Sequence, residues 1–265
     1  MALEEYFKSF SHHFDGLIFK VLPDEVMPLL ALEIRHTETK EVSFAVVDYE
    51  KSKLVFEGLG LEETWWVGMT AFYNGKLFFH SFADKQYPEP KGIIVADIFE
   101  QALIWEKQGV YLEEISKNVV YVCEIDDAER KRKSLDIQTG NHISCPDTNG
   151  NAGNDTKNVT LFPFQYAEGN PHFDTVALFL NQKLAISPIQ QLDYLEFKQY
   201  IIIAYFIEVD KKMSRWLIIL SQEGEILLHQ MIDNQLIGRH TEVFFVVNDF
   251  LVAIANRKNL LIFKL

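Results

Sequence analysis

Four times in this chain an apolar segment, a short polar turn and a second apolar segment follow one another, and few folds accept such a pattern. The clearest copy is "WVGMTAFYNGKLFFHSF" from Trp66, where Asn74-Gly75 parts two stretches rich in β-formers. Asn-Gly suits the tight hairpin because both central residues can take positive φ. The join recurs in "YLEEISKNVVYVCEI" from Tyr111, "LDYLEFKQYIIIAYF" from Leu192 and "EVFFVVNDFLVAIAN" from Glu242. Each is followed by a further strand ending in a polar turn, as in "GIIVADIFEQALIW" and "RWLIILSQEGEILLH". An earlier copy starts at "LLALEIR" (Leu29) and continues "VSFAVVDYEKSKLVF". The first apolar residues of the inner strands are Leu30, Leu77, Val119, Tyr200 and Phe250. Most neighbours lie about 40–50 residues apart, the spacing of a β-propeller blade with three or four strands.

The interval from Val119 to Tyr200 is near twice that repeat, so it holds either a sixth blade or an insertion. Within it, "DTNGNAGNDTKN" (Asp147 to Asn158) reads as a loop. "GNPHFDTVALFLNQKL" then reads as a helix: Asn170 is a capping residue, and Pro171 suits the first helical position. Phe173, Val176, Ala177, Leu180 and Leu184 follow helical spacing. A loop-helix insertion around residues 146–184 favours five blades, with six as the alternative. The last strand, "LLIFKL", has nothing after it to pair with. "GLIFKVL" (Gly16 to Leu22) is predicted to pair with it, closing the ring from the N- and C-terminal strands and removing an exposed edge. The expectation is one all-β domain over residues 1–265, a β-propeller acting as a monomer.

A net charge of −13 argues against nucleic acid and against an anionic membrane as partners. The basic cluster Arg130 to Lys133 follows Glu124, Asp126, Asp127 and Glu129 and reads as a solvated hairpin turn. The longest apolar runs, such as "YIIIAYFI" from Tyr200, are far too short to span a bilayer. The N-terminal residues lack the basic and apolar regions of a secretory signal, and Cys123 with Cys145 makes no disulfide framework. A cytoplasmic setting follows; an envelope-assembly role would need an export signal.

Several segments also resemble known repeats. "LALEIRH", "VSFAVVDYEKSKLVF", "EETWWVGM" and "KGIIVADIFEQALIW" look like the quinoprotein and WD type of propeller repeat, in which an apolar strand, an Asp and a Trp-bearing strand follow each other. Together they are similar to a family of uncharacterised bacterial proteins of like size. The resemblance implies a propeller-like fold and brings no activity. Regular Trp docking residues are missing, since Ala102 to Trp105 has one while Lys53 to Phe56 and Glu225 to Leu228 have none. No quinone or other cofactor is implied.

No Walker motif, dinucleotide glycine fingerprint, HExxH, CxxC or GxSxG occurs. His12 and His13 have no partners at ligand spacing, so no metal site is expected. Cys123 sits on an apolar strand and reads as a small core residue. Candidates for chemistry are polar residues on otherwise apolar inner strands. Glu33 and Arg35, two apart, share a face, with His80 at similar depth on the next blade. The plain reading is a channel-wall ion pair with a hydrogen-bonded histidine; the functional reading is a site for an anion or small polar ligand. The loop Ala83 to Gly92 adds Tyr87 and Lys91 as rim residues. Glu33, Glu124 and Glu208, from different blades, are the candidate acid, base or nucleophile of an alternative glycoside hydrolase.

Trp65 and Trp66 stand side by side in an extended-looking run. On a strand they point to opposite faces, and a blade covered on both sides can bury both. Packing in two layers is the expectation, with one indole N–H reaching a partner near the rim. A ligand platform at Trp65 is the alternative. The functional expectation is a non-catalytic module binding an unknown protein or small polar ligand.

Overall fold

The computed structural model of the chain describes residues 8–82, 89–125, 131–144, 157–209, 211–234 and 244–265. They form antiparallel sheets and one helix, an all-β fold. Contacts divide the chain into a continuous unit, residues 16–158, and a discontinuous one, residues 1–15 with 159–265. Strand β1 (Lys8–His13) belongs to the second.

The continuous unit opens with a meander of β2 (Leu17–Pro23), β3 (Leu29–His36), β4 (Glu41–Asp48) and β5 (Lys53–Leu59). A second meander follows as β6 (Val67–Tyr73), β7 (Lys76–Phe82), β8 (Pro90–Asp97) and β9 (Ala102–Gln108). The third comprises β10 (Val110–Ser116), β11 (Val119–Glu124) and β12 (Arg132–Asp136), and a bridge from Leu135 to His142 extends it. The middle sheet is buried on both faces. Leu77, Phe79 and Ile94 pack with Phe44 and Val46 of the first sheet. Phe78, Ile93 and Val95 pack with Val120, Val122 and Leu135 of the third. Neighbouring residues alternate between faces, so these strands read as unbroken apolar runs.

Turn chemistry repeats from sheet to sheet. Asn74 and Gly75 join β6 to β7 with φ of 46° and 72°, and Lys117 turns β10 into β11 at φ 53°. The third strand of each sheet ends in Asp48, Asp97 or Asp136. These carboxylates accept the N–H of Lys51, of Phe99 and Glu100, and of Gln138 and Thr139. The residue after each Asp (Tyr49, Ile98, Ile137) is buried, and the fourth after it (Ser52, Gln101, Gly140) takes positive φ. Between β2 and β3 the fully buried Asp24 ties two sheets together. Its Oδ1 accepts the N–H of Val26, Met27 and Asn74 at 2.7, 3.0 and 2.9 Å, and its Oδ2 that of Gly75 at 2.7 Å.

In the discontinuous unit, β13 (Thr160–Leu161), β14 (Phe164–Ala167) and α1 (Pro171–Leu184) precede β15 (Ile189–Phe197), β16 (Tyr200–Val209), β17 (Lys212–Ser221) and β18 (Ile226–Asn234). Strands β19 (Phe244–Val247), β20 (Phe250–Ala255) and β21 (Asn259–Lys264) end the chain. Strands β14 to β18 make one sheet; the other runs β1-β21-β20-β19-β13. Helix α1 starts as its sequence requires: Asn170 Oδ1 accepts the N–H of His172 at 2.9 Å, with Pro171 following. Phe173 and Leu180 pack on Ile203, Tyr205 and Ile218, so the helix covers one face of the β14–β18 sheet. Phe244, Val246 and Leu251 cover the other.

Among the described residues there are five sheets, and each of the five markers falls at or beside the first residue of a sheet's inner strand. Residues 157–190 add no sheet of their own, because β13 pairs with β19 and β14 with β15. One pairing differs from expectation. The partner of β21 is β1, with His12 opposite Leu260 and His13 opposite Asn259. Gly16 to Leu22 instead lies in and beside β2, which pairs with β3. Both β1 and β2 are edge strands of their sheets, but "KSFSHH" carries Phe10 as its one large apolar residue and does not announce itself, whereas the apolar-rich "LIFKVLP" does and pairs with the buried β3. Residues 126–130, with Arg130 and most of the segment expected to turn, lie outside the described residues, as do Cys145 and residues 147–156 of the segment expected to be a loop.

Candidate functional site

Trp65 and Trp66 are not on a strand. They occupy a bend leading into β6, each half-buried, and both line one cavity. The expected burial on two opposite sheet faces is therefore overturned, and the cause is local. Glu63 Oε1 accepts the N–H of both tryptophans, at 2.9 and 2.8 Å, and this side-chain turn competes with extension. Arg35 then clamps the bend: Nη1 donates to the Trp65 carbonyl at 3.0 Å and Nη2 to the Val67 carbonyl at 2.8 Å. Its guanidinium lies over the rings of Phe19 and Trp65, 4.7 and 4.9 Å from their centres.

Glu33, two residues before Arg35 on β3, is 1% exposed. Its Oε1 accepts Arg35 Nε–H at 2.7 Å, and its Oε2 accepts the N–H of Met69 at 2.9 Å. A buried ion pair is tolerable when further hydrogen bonds satisfy both partners, and here they do. The pair fixes the entry of β6 against β3.

Around it opens a cavity of about 430 Å³. Phe19, Trp65, Trp66 and Phe82 supply aromatic walls; Lys20, Thr70 and His80 supply polar groups. Two β-bulges build it. In β2, Ile18 faces Ile34 and Lys20 faces Glu33, leaving Phe19 as the extra residue. In β6, Met69 faces Phe79 and Ala71 faces Phe78, leaving Thr70 extra. A bulge breaks the strict alternation of side chains. Phe19 and Lys20, though adjacent, thus both line the cavity, as do Met69 and Thr70.

His80 Nε2 accepts the N–H of Leu112 at 3.2 Å, so the neutral ring carries its proton on Nδ1. Burial, and then the nearby Lys20 charge, push its pKa below the ordinary 6.5. Lys20 Nζ donates to the Met69 carbonyl at 3.0 Å. Among the described residues the one ion pair lining this cavity is Glu33–Arg35, and Lys20 has no carboxylate partner.

The structure thus gathers Glu33, Arg35, Trp65 and His80 from the sequence candidates. Lys91 lies exposed on β8 and does not line the cavity; Tyr87 lies outside the described residues. Glu124 pairs with Lys133 at the end of β11, outside the cavity, and Glu208 is exposed on β16 in the other unit. Cys123 is buried. Phe19, Lys20, Thr70 and Phe82 escape a reading of the sequence, although "IFK" in a strand hints at an aromatic with no core to enter: Phe19 is 62% exposed. Among the described residues no group of three or more His, Cys, Asp or Glu could hold a metal, and no helix is long and apolar enough to cross a membrane.

A family model described as a domain of unknown function (DUF4905) matches residues 24–105. That span includes Glu33, Arg35, both tryptophans and His80, and begins after Phe19 and Lys20. No curated protein matches the chain. Among solved structures, the chain is similar to BamB from Moraxella catarrhalis at 10% identity and a TM-score of 0.34, covering 93% of this chain and 84% of that one.

Proposed function

We propose that the protein is a small-ligand-binding β-propeller whose ligand occupies the cavity walled by Phe19, Trp65 and Trp66. The five antiparallel sheets read as five blades, and β1 alongside β21 reads as the strand that closes the ring. The observation that carries the binding reading is the pair of bulges that turn adjacent residues into one aromatic-walled cavity, since bulges often re-aim side chains at a working site. The reading is of binding without transformation: Glu33 is 1% exposed with both oxygens hydrogen-bonded inside the protein, and the acceptor nitrogen of His80 is taken by Leu112.

The test is a fragment screen by ligand-observed saturation-transfer NMR on the wild type, Trp66→Ala and Trp105→Phe. Trp66→Ala should weaken hits about tenfold, the worth of one lost aromatic contact. Trp105→Phe, whose indole bonds the Ile137 carbonyl away from the cavity, should leave them unchanged. Hits indifferent to Trp66→Ala would refute this reading.

A further inference from the structure

The charges and hydrogen-bonding groups of the cavity define what can fill it. Glu33 and Arg35 neutralise one another, and Arg35 is further spent on the Trp65 and Val67 carbonyls. Lys20 is left as a cation with no carboxylate partner among the described residues, and two of its three N–H donors remain after Met69. His80 offers Nδ1–H, because Leu112 occupies its other nitrogen. Donors therefore outnumber acceptors: the Glu33 carboxylate is 1% exposed and engaged by Arg35 and Met69, which leaves the Thr70 hydroxyl as the side-chain acceptor. A polyhydroxylated neutral molecule would find few acceptors, and a dianion would find only one unpaired cation. An ammonium would meet Lys20 with like charge. The walls, in contrast, are large rings, and about 430 Å³ suits one or two fused rings with a short substituent.

We infer that the ligand is a small monocarboxylate carrying a flat ring, its carboxylate held by Lys20 and its ring lying along the Phe19, Trp65 and Trp66 wall. This rests on the small-ligand reading above. The bulge in β2 is what makes it coherent, since it sets the cation and an aromatic wall at consecutive positions of one strand.

Calorimetric titration compares benzoate and indole-3-acetate with benzamide and indole-3-acetamide, and with glucose as a neutral polar probe. The acids should bind at least about tenfold more tightly than their amides, the worth of a charge-assisted hydrogen bond over a neutral one. Lys20→Met should bring each acid down to its amide while leaving the amide unchanged; Lys20→Gln serves if the Met variant does not fold. Acids and amides binding equally, or glucose binding best, would overturn the carboxylate assignment while the small-ligand reading stands. No binding by any probe at millimolar concentration would overturn the assignment, and an empty fragment screen as well would take the small-ligand reading with it.

Discussion

Replacing Asp24 by Ala would strip four backbone N–H groups of their acceptor at once. A hydrogen bond to a charged group is worth about 1.5–3 kcal/mol when nothing replaces it. Water can reach the N–H groups of Val26, Met27 and Asn74, which are only partly buried, so each should lose about 0.5–1.5 kcal/mol. Gly75 N–H is buried and should lose about 1–3 kcal/mol. The total is about 2.5–7.5 kcal/mol, a large share of the roughly 5–15 kcal/mol that holds a domain folded. Asp24→Asn keeps an oxygen for the first three groups and turns an NH₂ toward Gly75, for a smaller loss of about 2–4 kcal/mol. Of the four tryptophans only Trp216 lies outside residues 16–158. Guanidinium unfolding followed by emission in a Trp216→Phe background therefore reports on the continuous unit. A cost under 1 kcal/mol for Asp24→Ala, or Asn costing as much as Ala, would refute the reasoning.

Two further perturbations read other parts of the same unit. The pKa of His80 is lowered below its unfolded value, so the unfolded chain binds more protons than the folded one as pH falls through 6.5. Its contribution is whole above pH 6.5 and is lost as pH falls through the folded pKa; NMR titration should place His80 below 6.5, and a value at or above it would sink the account. Gly140→Ala should cost about 2–3 kcal/mol, combining a left-handed φ of 66° with a Cβ that would sit 2.7 Å from Trp105 Cδ2. The Trp105 ring is tied by its bond to the Ile137 carbonyl, and an unfolding midpoint that does not move would show that it yields freely.

The parts of this molecule visible in its sequence are those fixed by neighbours along the chain. Asn74-Gly75, the Asn170 cap and the markers at each inner strand express local backbone chemistry, and each lands where expected. Glu33 and Arg35 on one face of β3, with His80 on the next sheet, follow from the two-residue period alone. The bulges at Phe19 and Thr70 arise only when two strands settle their register, so no single strand announces them. The tryptophan bend escaped for a related reason: "EETWW" has strand-like composition, yet the Glu63 carboxylate holds two N–H groups that a ladder would need. The mispaired N-terminal strand shows the remaining gap, because an apolar pattern says that a strand needs cover without saying from which neighbour.

The pairing of β1 with β21 has a consequence for the order in which the protein is made. Lys8 to His13 leave the ribosome about 250 residues ahead of their partners. At roughly 5–20 residues per second, the first strand waits on the order of 12–50 s for its ladder. Residues 16–158, whose sheets are continuous in sequence, are complete well before that. During the wait β1 offers bare backbone to any exposed edge, and its composition fits that interval: Lys8, two serines and two histidines make a poor template for aggregation. The residues that hid this strand from a reading of the sequence are those that let it stay single until its partner arrives.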